Sequence, residues 1–433
     1  MLEKGNKRII NAWAFYDWAN SAYPLVITTA IFPMYYEAVT SQKDINGKVI
    51  SDLVEFFGLS FRNTELYSYV ISFSFVIVSI LSPLLSGIAD YSDNKKQFLK
   101  FFCYLGALAC ASLFFFDTDK LELSMLSVLF ASIGFWASIV FYNAYLPEIA
   151  PPELHDKISA KGYALGYIGS SILLIGCLIS IMVFDVPAKF SFLAVALWWV
   201  GFSQITYARL PNRTQHEKPK ENKFTKGWRE LKKVWNQLKE LKTLKSYLIS
   251  FFVYSMGVQT VMLMATLFAA KEINWGDDGE AKTGLIVSVL IIQFIAIGGA
   301  YIFSSLSKKF GNIAALMASL FIWIGVCIAA YSIHEPVEFY AVAGVVGLVM
   351  GGVQSLSRST YSKLLPETTD HASFFSFYDV TEKIGIVIGT FSYAFIEGVT
   401  GSMRNSIFAL ATFFVIGMLL LLRVPKNKSI QAD

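Results

Sequence analysis

Long apolar stretches alternate with short polar segments along the whole chain. Twelve of these stretches approach or exceed the roughly 20 residues that a helix needs to cross a lipid bilayer. Helices are the expected form, because hydrocarbon offers no hydrogen-bonding partner to a free backbone group. The predicted spans are residues 11–36, 66–89, 98–116, 121–146, 158–184, 190–210, 246–270, 283–306, 312–333, 337–365, 372–397 and 403–424.

A seven-residue motif occurs twice, half a chain apart. Tyr142-Asn-Ala-Tyr-Leu-Pro-Glu148 returns 219 positions later as Tyr361-Ser-Lys-Leu-Leu-Pro-Glu367, with four of seven positions identical. Each copy closes a long apolar stretch, which is typical of transporters built from two copies of one bundle. The predicted organisation is an N-terminal six-helix bundle (1–210), a cytoplasmic linker (211–245) and a C-terminal six-helix bundle (246–433).

Composition supports a membrane protein. Hydrophobic residues make up 55% of the chain and charged residues 16%, whereas a soluble domain carries about 25% charged residues. With the N-terminus in the cytoplasm, the cytoplasmic segments hold 27 of the 36 Lys and Arg, and the opposite side holds 8. This asymmetry places both termini in the cytoplasm. The plasma (bacterial inner) membrane is the expected location. The net charge of +4 is spread by topology, so no nucleic-acid partner is expected.

The linker contains a predicted amphipathic helix. Its apolar positions recur at helical spacing, with Lys on the other faces. Two interpretations remain open: a helix that lies on the membrane surface, or a linker helix packed on the bundle. The residues concerned are Trp228, Leu231, Trp235, Leu238 and Leu241, with Lys232, Lys233, Lys239 and Lys242.

The first span carries a polar stripe. Asp17, Asn20, Ser21, Pro24 and Thr28 fall on one helix face. Asp17 lies about 12 Å into the bilayer at about 1.5 Å per residue. An ionised carboxylate at this depth is expected to face the bundle interior and to mark a functional site; the alternative is a buried acid that only holds helices together.

A second charged group lies in the eleventh span. Asp379 and Lys383 are four residues apart, and Glu382 adjoins both. The group is either a neutralised structural cluster or a site for a substrate carboxylate that is released when the pairing changes. The role of Asp379 stays open. The other candidate substrate- or proton-binding residues in the spans are Asn143, Tyr163, Tyr167, Gln259, Gln293 and Gln354.

The second loop predicts a gate on the cytoplasmic side. Asp90 ends a span and precedes Lys95 and Lys96, so its carboxylate is expected to accept charged hydrogen bonds from a neighbouring helix end in one conformation only. The loop resembles the Gly-x-x-x-Asp-Arg-x-Gly-Arg-Arg signature of the major facilitator superfamily. A degenerate copy occurs 218 positions later with Lys308 in place of Asp90, so the latch should be stronger in the first half.

Arg358 is a further gating candidate. It lies near the cytoplasmic end of the tenth span, where it either pairs with Glu148 or Glu367 or extends to the interface as a helix-end Arg. Both Glu residues follow Pro at a helix end and are expected at the interface rather than in a substrate cavity.

Two Gly-rich runs are expected to permit close helix packing, because neither follows a strand nor carries a phosphate-binding Lys. These glycines are Gly162, Gly166 and Gly169 in the first half and Gly344, Gly347 and Gly351 in the second.

Five segments in the same order resemble the vacuole-effluxer-like branch of the major facilitator superfamily. They are Phe-Tyr-Asp-Trp-Ala-Asn-Ser-Ala-Tyr (15–23), Asn-Ala-Tyr-Leu-Pro-Glu-Ile-Ala (143–150), Gly-Tyr-Ala-Leu-Gly-Tyr-Ile-Gly (162–169), Gly-Gly-Val-Gln-Ser-Leu-Ser-Arg (351–358) and Phe-Phe-Ser-Phe-Tyr-Asp-Val-Thr-Glu-Lys (374–383). The resemblance implies twelve helices in two six-helix halves with alternating access to a central cavity. Fungal relatives are associated with amino-acid efflux from the vacuole. Met256 stands where relatives often carry an acidic residue.

The first functional hypothesis is a secondary transporter, possibly proton-coupled, for a small polar solute such as an amino acid or similar zwitterion. Asp17 and Lys383 would offer opposite charges to one substrate. The alternative is a lipid-handling flippase on the same scaffold. An enzyme is not expected, because the sequence shows no nucleophile–base pair; no metal or cofactor pattern is present, and a monomer is expected.

Overall fold

The computed structural model describes residues 4–43, 49–211, 223–276 and 278–425, which form a mostly helical bundle. Its helices are α1 (Lys7–Asn20), α2 (Ile31–Thr40), α3 (Asn63–Tyr91), α4 (Lys95–Ser112), α5 (Leu121–Asn143), α6 (Leu146–Ile149), α7 (His155–Met182), α8 (Phe190–Arg209), α9 (Lys223–Glu240), α10 (Lys242–Glu272), α11 (Asp278–Phe310), α12 (Asn312–Ser332), α13 (Pro336–Leu364), α14 (His371–Thr400) and α15 (Met403–Leu422). Eleven helices in this part of the chain are long and apolar enough to cross a membrane.

The first predicted span differs from the others because it is not one regular helix. A π-helical segment, Tyr23–Ala30, separates α1 from α2. Each of the three pieces is shorter than a membrane-spanning α-helix, which explains why eleven spans are recognised where the sequence predicts twelve. The π-helical segment contains Pro24, whose backbone nitrogen carries no hydrogen and so cannot donate a hydrogen bond.

The segment between α2 and α3 contains β-structure, so the expectation of an all-α protein needs a small correction. Two antiparallel pairs form there: β1 (Gln42–Lys43) with β2 (Val49–Ser51), and β3 (Leu53–Phe56) with β4 (Leu59–Arg62). Gly58 in the tight turn between β3 and β4 has a φ of +75°, a conformation that glycine adopts without strain.

The helices fall into two groups that meet along a central interface. α1 packs on α7 and α8, α4 packs on α5, and α10 packs on α14 and α15. Between the groups, α3 contacts α14, and α7 contacts α11 and α13. In span order these contacts join spans two and eleven and spans five and eight. They are equivalent pairs if the two halves are copies.

Glycines bring several helices into backbone contact, as the sequence predicts. A Cβ added to Gly347 would lie 2.5 Å from the Ile292 carbonyl oxygen, and one added to Gly351 would collide with the Ala296 carbonyl. Both contacts join α11 to α13. A Cβ on Gly169 would meet Trp18 of α1 at 2.8 Å. Small residues therefore set these helix separations.

The linker helix α9 packs on the bundle, the second of the two interpretations. Gly227 lies against the backbone of Gly87 in α3, and Val234 and Leu238 are buried. Lys233 donates to the Asp370 carboxylate at 2.9 Å. That hydrogen bond raises the pKa of Lys233 above its ordinary value. α9 therefore contacts both groups of helices.

Candidate functional site

A buried ion pair joins the two groups of helices. Nη1 and Nη2 of Arg358 on α13 each lie 3.1 Å from Oδ2 of Asp17 on α1. Both residues are buried, Asp17 with 5% and Arg358 with 2% of their surface exposed. A pair this well shielded loses much solvation, which only close geometry and further hydrogen bonds offset.

Further hydrogen bonds, all with residues of the N-terminal group, complete this charge pair. The Tyr142 hydroxyl donates to Asp17 Oδ2 at 2.8 Å. Arg358 donates through Nε to the Ser159 hydroxyl at 2.9 Å and through Nη2 to the Ser159 carbonyl at 3.0 Å. Nη1 also reaches the Asn143 side-chain oxygen at 3.4 Å. The ion pair thus has the hydrogen-bonding partners that its burial requires.

Aromatic rings surround the Arg358 guanidinium. Its Cζ atom lies 4.2 Å from the ring centre of Tyr163, 4.9 Å from that of Trp13 and 5.5 Å from that of Tyr142. Such faces attract a cation electrostatically. The guanidinium is therefore held on several sides and not only by the carboxylate.

Gly162 leaves the room that the charge pair occupies. A Cβ at this position of α7 would collide with Asp17 Oδ2 and lie 2.9 Å from Arg358 Nη2. The carboxylate can approach the helix backbone closely only because no side chain stands there. One of the glycines predicted for helix packing therefore also shapes the site.

A second buried charge cluster lies on α14. Lys383 Nζ is 2.9 Å from Asp379 Oδ1 and 3.2 Å from Glu382 Oε2. It also lies 3.7 Å above the ring centre of Trp136 on α5, in the other group of helices. Of the two interpretations from sequence, this conformation corresponds to the neutralised cluster.

A small cavity lies between these two clusters, mainly within the C-terminal group. Its empty volume is about 270 Å³, including its open mouth. Gln259 donates to Glu382 Oε1 at 2.7 Å, and the Tyr167 hydroxyl donates to Gln354 Oε1 at 2.7 Å. Its lining residues are Tyr163, Phe251, Tyr254, Ser255, Val258, Gln259, Val353, Gln354, Ser357, Tyr378 and Glu382.

Two of the lining residues connect the cavity to the charge clusters. The Tyr163 ring lies against the Arg358 guanidinium, and the same residue lines the cavity. Glu382 lines the cavity and pairs with Lys383 behind it. The lining that the structure describes has one carboxylate, several tyrosine rings and two amide side chains, but no cation.

Asp90 lies at the start of α14, a helix of the other group. Asp90 accepts the backbone N–H groups of Ala372 at 3.2 Å and Ser373 at 2.7 Å, in the first turn of α14. A carboxylate at a helix N-terminus satisfies free N–H groups and complements the helix dipole. Lys95 lies 3.2 Å from Asp90 and also pairs with Glu148, which contacts His371 at 3.1 Å. We call this group the first latch.

A second latch closes the equivalent helix pair, and sequence reasoning missed it. Asp156, in the first turn of α7, accepts hydrogen bonds from Ser307 at 2.7 Å and Asn312 at 2.8 Å. Lys363 pairs with the same carboxylate at 2.6 Å. In the loop between spans eight and nine the sequence carries Lys308 where the first half has Asp90, so a weaker latch was expected there. The acid of this pair instead lies on the opposing helix, α7. The signal was available, because His155-Asp156 and Asp370-His371 both begin spans at equivalent places.

Arg358 requires a correction. Its predicted partners were Glu148 or Glu367, whereas it pairs with Asp17. The reason is depth: six residues separate Arg358 from the last residue of α13, or about 9 Å at about 1.5 Å per residue, so the side chain reaches the interior instead of the interface. Glu148 joins the first latch, and Glu367 is exposed between α13 and α14.

The remaining candidates occupy several places. Lys96 donates to the Leu210 carbonyl at 2.9 Å, within the N-terminal group, so it does not bridge the halves. Asn20 is buried beside Ser21 on the face that carries Asp17. Gln293 lies on α11, outside the cavity lining described above.

Known proteins match this chain over almost its full length. The family model described as vacuole effluxer Atg22 like matches residues 5–433. The MFS-type transporter YxiO of Bacillus subtilis is 30% identical, covering 97% of this chain and 95% of that protein. Autophagy-related protein 22-1 of Penicillium rubens is 22% identical, covering 98% of this chain and 90% of that protein.

Solved structures agree on the fold. The MFS transporter FucP in the outward conformation superposes with a TM-score of 0.68 at 12% identity, covering 98% of this chain and 99% of that chain. A bacterial homologue of the iron transporter ferroportin in an outward-facing state gives a TM-score of 0.65 at 12% identity, covering 96% and 98%. The bundle therefore has the major facilitator architecture.

Proposed function

The chain belongs to the vacuole effluxer Atg22-like family of membrane transporters, and we propose that it moves a small ammonium-bearing solute, such as an amino acid, by alternating access. The observation that carries the proposal is the Asp17–Arg358 ion pair buried between the two halves. A charge pair that joins the moving parts must break when they separate, so its state is tied to the conformation.

The present conformation is closed at the latches and corresponds to an outward-facing state. Both latches join the halves on the side where α1 begins and α15 ends, which we place in the cytoplasm of a plasma membrane. In alternating access, opening this side requires both latches to release. The two halves, residues 1–210 and 246–433, then act as the rocking units, within a monomer.

The cavity supports recognition of the ammonium group. Glu382 supplies a carboxylate, Gln259 and Gln354 supply amide oxygens, and Tyr163 and Tyr378 supply ring faces. Ammonium is attracted by each of these groups. A phospholipid has far more apolar volume than this small cavity offers, so the size of the cavity favours a small solute over a flippase substrate.

We assign proton coupling and recognition of the substrate carboxylate to the two charge clusters beside the cavity. When Asp17 takes up a proton it releases Arg358, whose guanidinium then becomes available to a substrate carboxylate next to Tyr163. Lys383 offers a second cation when its pairing with Glu382 changes. The sequence hypothesis paired Asp17 with Lys383 around one substrate; the contacts instead favour Glu382 for the ammonium group and Arg358 or Lys383 for the carboxylate.

Transport by reconstituted protein tests the proposal. Full-length protein in liposomes is supplied with a proton gradient and a panel of labelled amino acids, sugars and organic anions. We expect saturable uptake of an ammonium-bearing solute that stops in Asp17→Asn. Selective uptake of sugars or organic anions would contradict the substrate class, and wild-type uptake by Asp17→Asn would contradict the mechanism.

A further inference from the structure

One flank of α9 is exposed at the edge of its contact with the bundle and combines tryptophan with lysine. Trp228, Lys232, Trp235 and Lys239 follow one another at intervals of four, three and four residues, so they form a single stripe. All four are exposed, with 60% of Trp228 and 46% of Trp235 accessible. Two large aromatic rings left open beside lysines are unusual on a surface that meets only water.

The stripe lies beside the first two turns of α14, a helix long and apolar enough to cross a membrane. The Trp235 ring is 5.4 Å from the Phe377 ring, six residues into α14, or about 9 Å along its axis. Lys239 lies 5.2 Å above the same Trp235 ring. Tryptophan at the boundary between water and lipid, with lysine reaching to the headgroups, is the pattern of a membrane-interface anchor.

The charge of this region selects the lipid. Residues 223–245 contain eight basic and two acidic residues. Basic helices beside a membrane attract anionic headgroups, and each Lys or Arg near the surface adds to the attraction. Zwitterionic headgroups give no comparable net attraction.

Contacts on the buried face of α9 connect the stripe to the first latch. Gly227 rests on Gly87, three residues before Asp90, and Lys233 holds Asp370, the residue before α14 begins. The helix therefore spans the first latch from one half to the other.

We propose that the stripe of Trp228, Lys232, Trp235 and Lys239 binds the anionic phospholipid headgroups of the adjacent leaflet and thereby holds α9 across the first latch. Lipid binding at the stripe is independent of which solute is transported. The full-length protein is therefore studied in detergent micelles that contain little lipid, so that each phospholipid can be added back and its effect measured.

The test measures thermal unfolding of the full-length protein as phosphatidylglycerol or phosphatidylcholine is titrated into the micelles, because a ligand that binds the folded state raises the transition temperature. We expect phosphatidylglycerol to raise it more than phosphatidylcholine does. The double variant Lys232→Gln and Lys239→Gln should weaken the apparent affinity for phosphatidylglycerol by about thirtyfold. The matched control, Lys308→Gln with Lys309→Gln, removes the same charge from exposed positions at the end of α11 and should retain the difference between lipids.

Two further arms identify the contact. Brominated phosphatidylglycerol should quench less tryptophan fluorescence in Trp228→Phe with Trp235→Phe than in the parent, and soluble glycerophosphoglycerol and inorganic phosphate should give no comparable thermal shift. Equal responses to the two lipids, an unchanged response in the Lys232 and Lys239 variant, or an equal loss in the control would each overturn the proposal. A full response to inorganic phosphate would replace the lipid with a free anion and would also overturn it.

Discussion

Asp17 and Arg358 stand 341 positions apart in the sequence, and Oδ2 of the first lies 3.1 Å from Nη2 of the second, inside the boundary between the two halves. Each residue neutralises a charge that the other half buries at the interface. Neither can be removed alone without leaving its partner charged and buried.

Asp17→Asn and Arg358→Gln should each destabilise the protein by about 3–5 kcal/mol, because each leaves an uncompensated buried charge. The double variant Asp17→Asn with Arg358→Gln should recover part of that loss but no transport. Thermal unfolding in one detergent, together with uptake in liposomes, checks both statements. A double variant whose loss equals the sum of the single losses would show that the two residues are not coupled.

Weakening either latch should make the closed, cytoplasmic side of the protein open more often. Ser362 is buried near the end of α13, and the four native cysteines are buried, so Ser362→Cys is a reporter with little background. Asp90→Asn or Asp156→Asn should raise the rate at which that cysteine reacts with a thiol reagent by about tenfold or more, since a hydrogen bond to a charged group is worth about 1.5–3 kcal/mol.

Glu153→Gln is the control for the latch variants. It removes one negative charge from an exposed position in the same turn region, and labelling should stay at the parent rate. Labelling that rises equally in all three variants would assign the effect to net charge and not to the latches.

Gly351 and Gly298 form a matched pair on α13 and α11. Gly351→Ala should lower the free energy of unfolding and the transport rate, because its Cβ would meet the Ala296 carbonyl. Gly298→Ala meets nothing within 4 Å and should be neutral or stabilising by up to about 1 kcal/mol. Thermal unfolding of both variants decides whether close approach of α11 and α13 matters.

Replacing Lys383 should mainly lower the free energy of unfolding. Lys383→Met leaves two carboxylates in one buried cluster, with an expected cost of about 3–5 kcal/mol. Adding Asp379→Asn to that variant removes one of the charges and should restore part of the loss. If the double variant is no more stable than Lys383→Met, the contact with Trp136 across the halves accounts for the effect instead.

Replacing Glu382 should weaken binding of the substrate. Glu382→Gln keeps a side chain that can bond Gln259 but removes the negative charge from the cavity, so the KM for an ammonium-bearing solute should rise at least tenfold, the loss of about 1.4 kcal/mol or more. Glu397→Gln, at the exposed pair with Lys271, is the control and should leave KM unchanged. An unchanged KM in Glu382→Gln would remove this residue from the binding site.

The apolar pattern was enough to predict the spans after the first, because a membrane leaves few alternatives to helices of this length. The Asp90 latch was also readable, since an acid at a helix end implies a helix terminus to bind. The π-helical segment was not, because Tyr23–Ala30 has an apolar composition like that of a regular span. Arg358 was misplaced because its partner Asp17 lies on a distant helix, and local sequence gives no distance between them. Asp156 was missed although its position at the start of a span was visible in the sequence.

Among the residues that the structure describes, the ion pairs between the halves share one polarity. Asp17 and Asp156 contribute the acids from the N-terminal half, and Arg358 and Lys363 face them as cations from the C-terminal half. Two copies of the N-terminal half would leave these acids without the facing cations, and two copies of the C-terminal half would leave the cations without the facing acids, at the cost of an unpaired buried charge. Each half is therefore the electrostatic complement of the other, and two identical halves would not reproduce this interface.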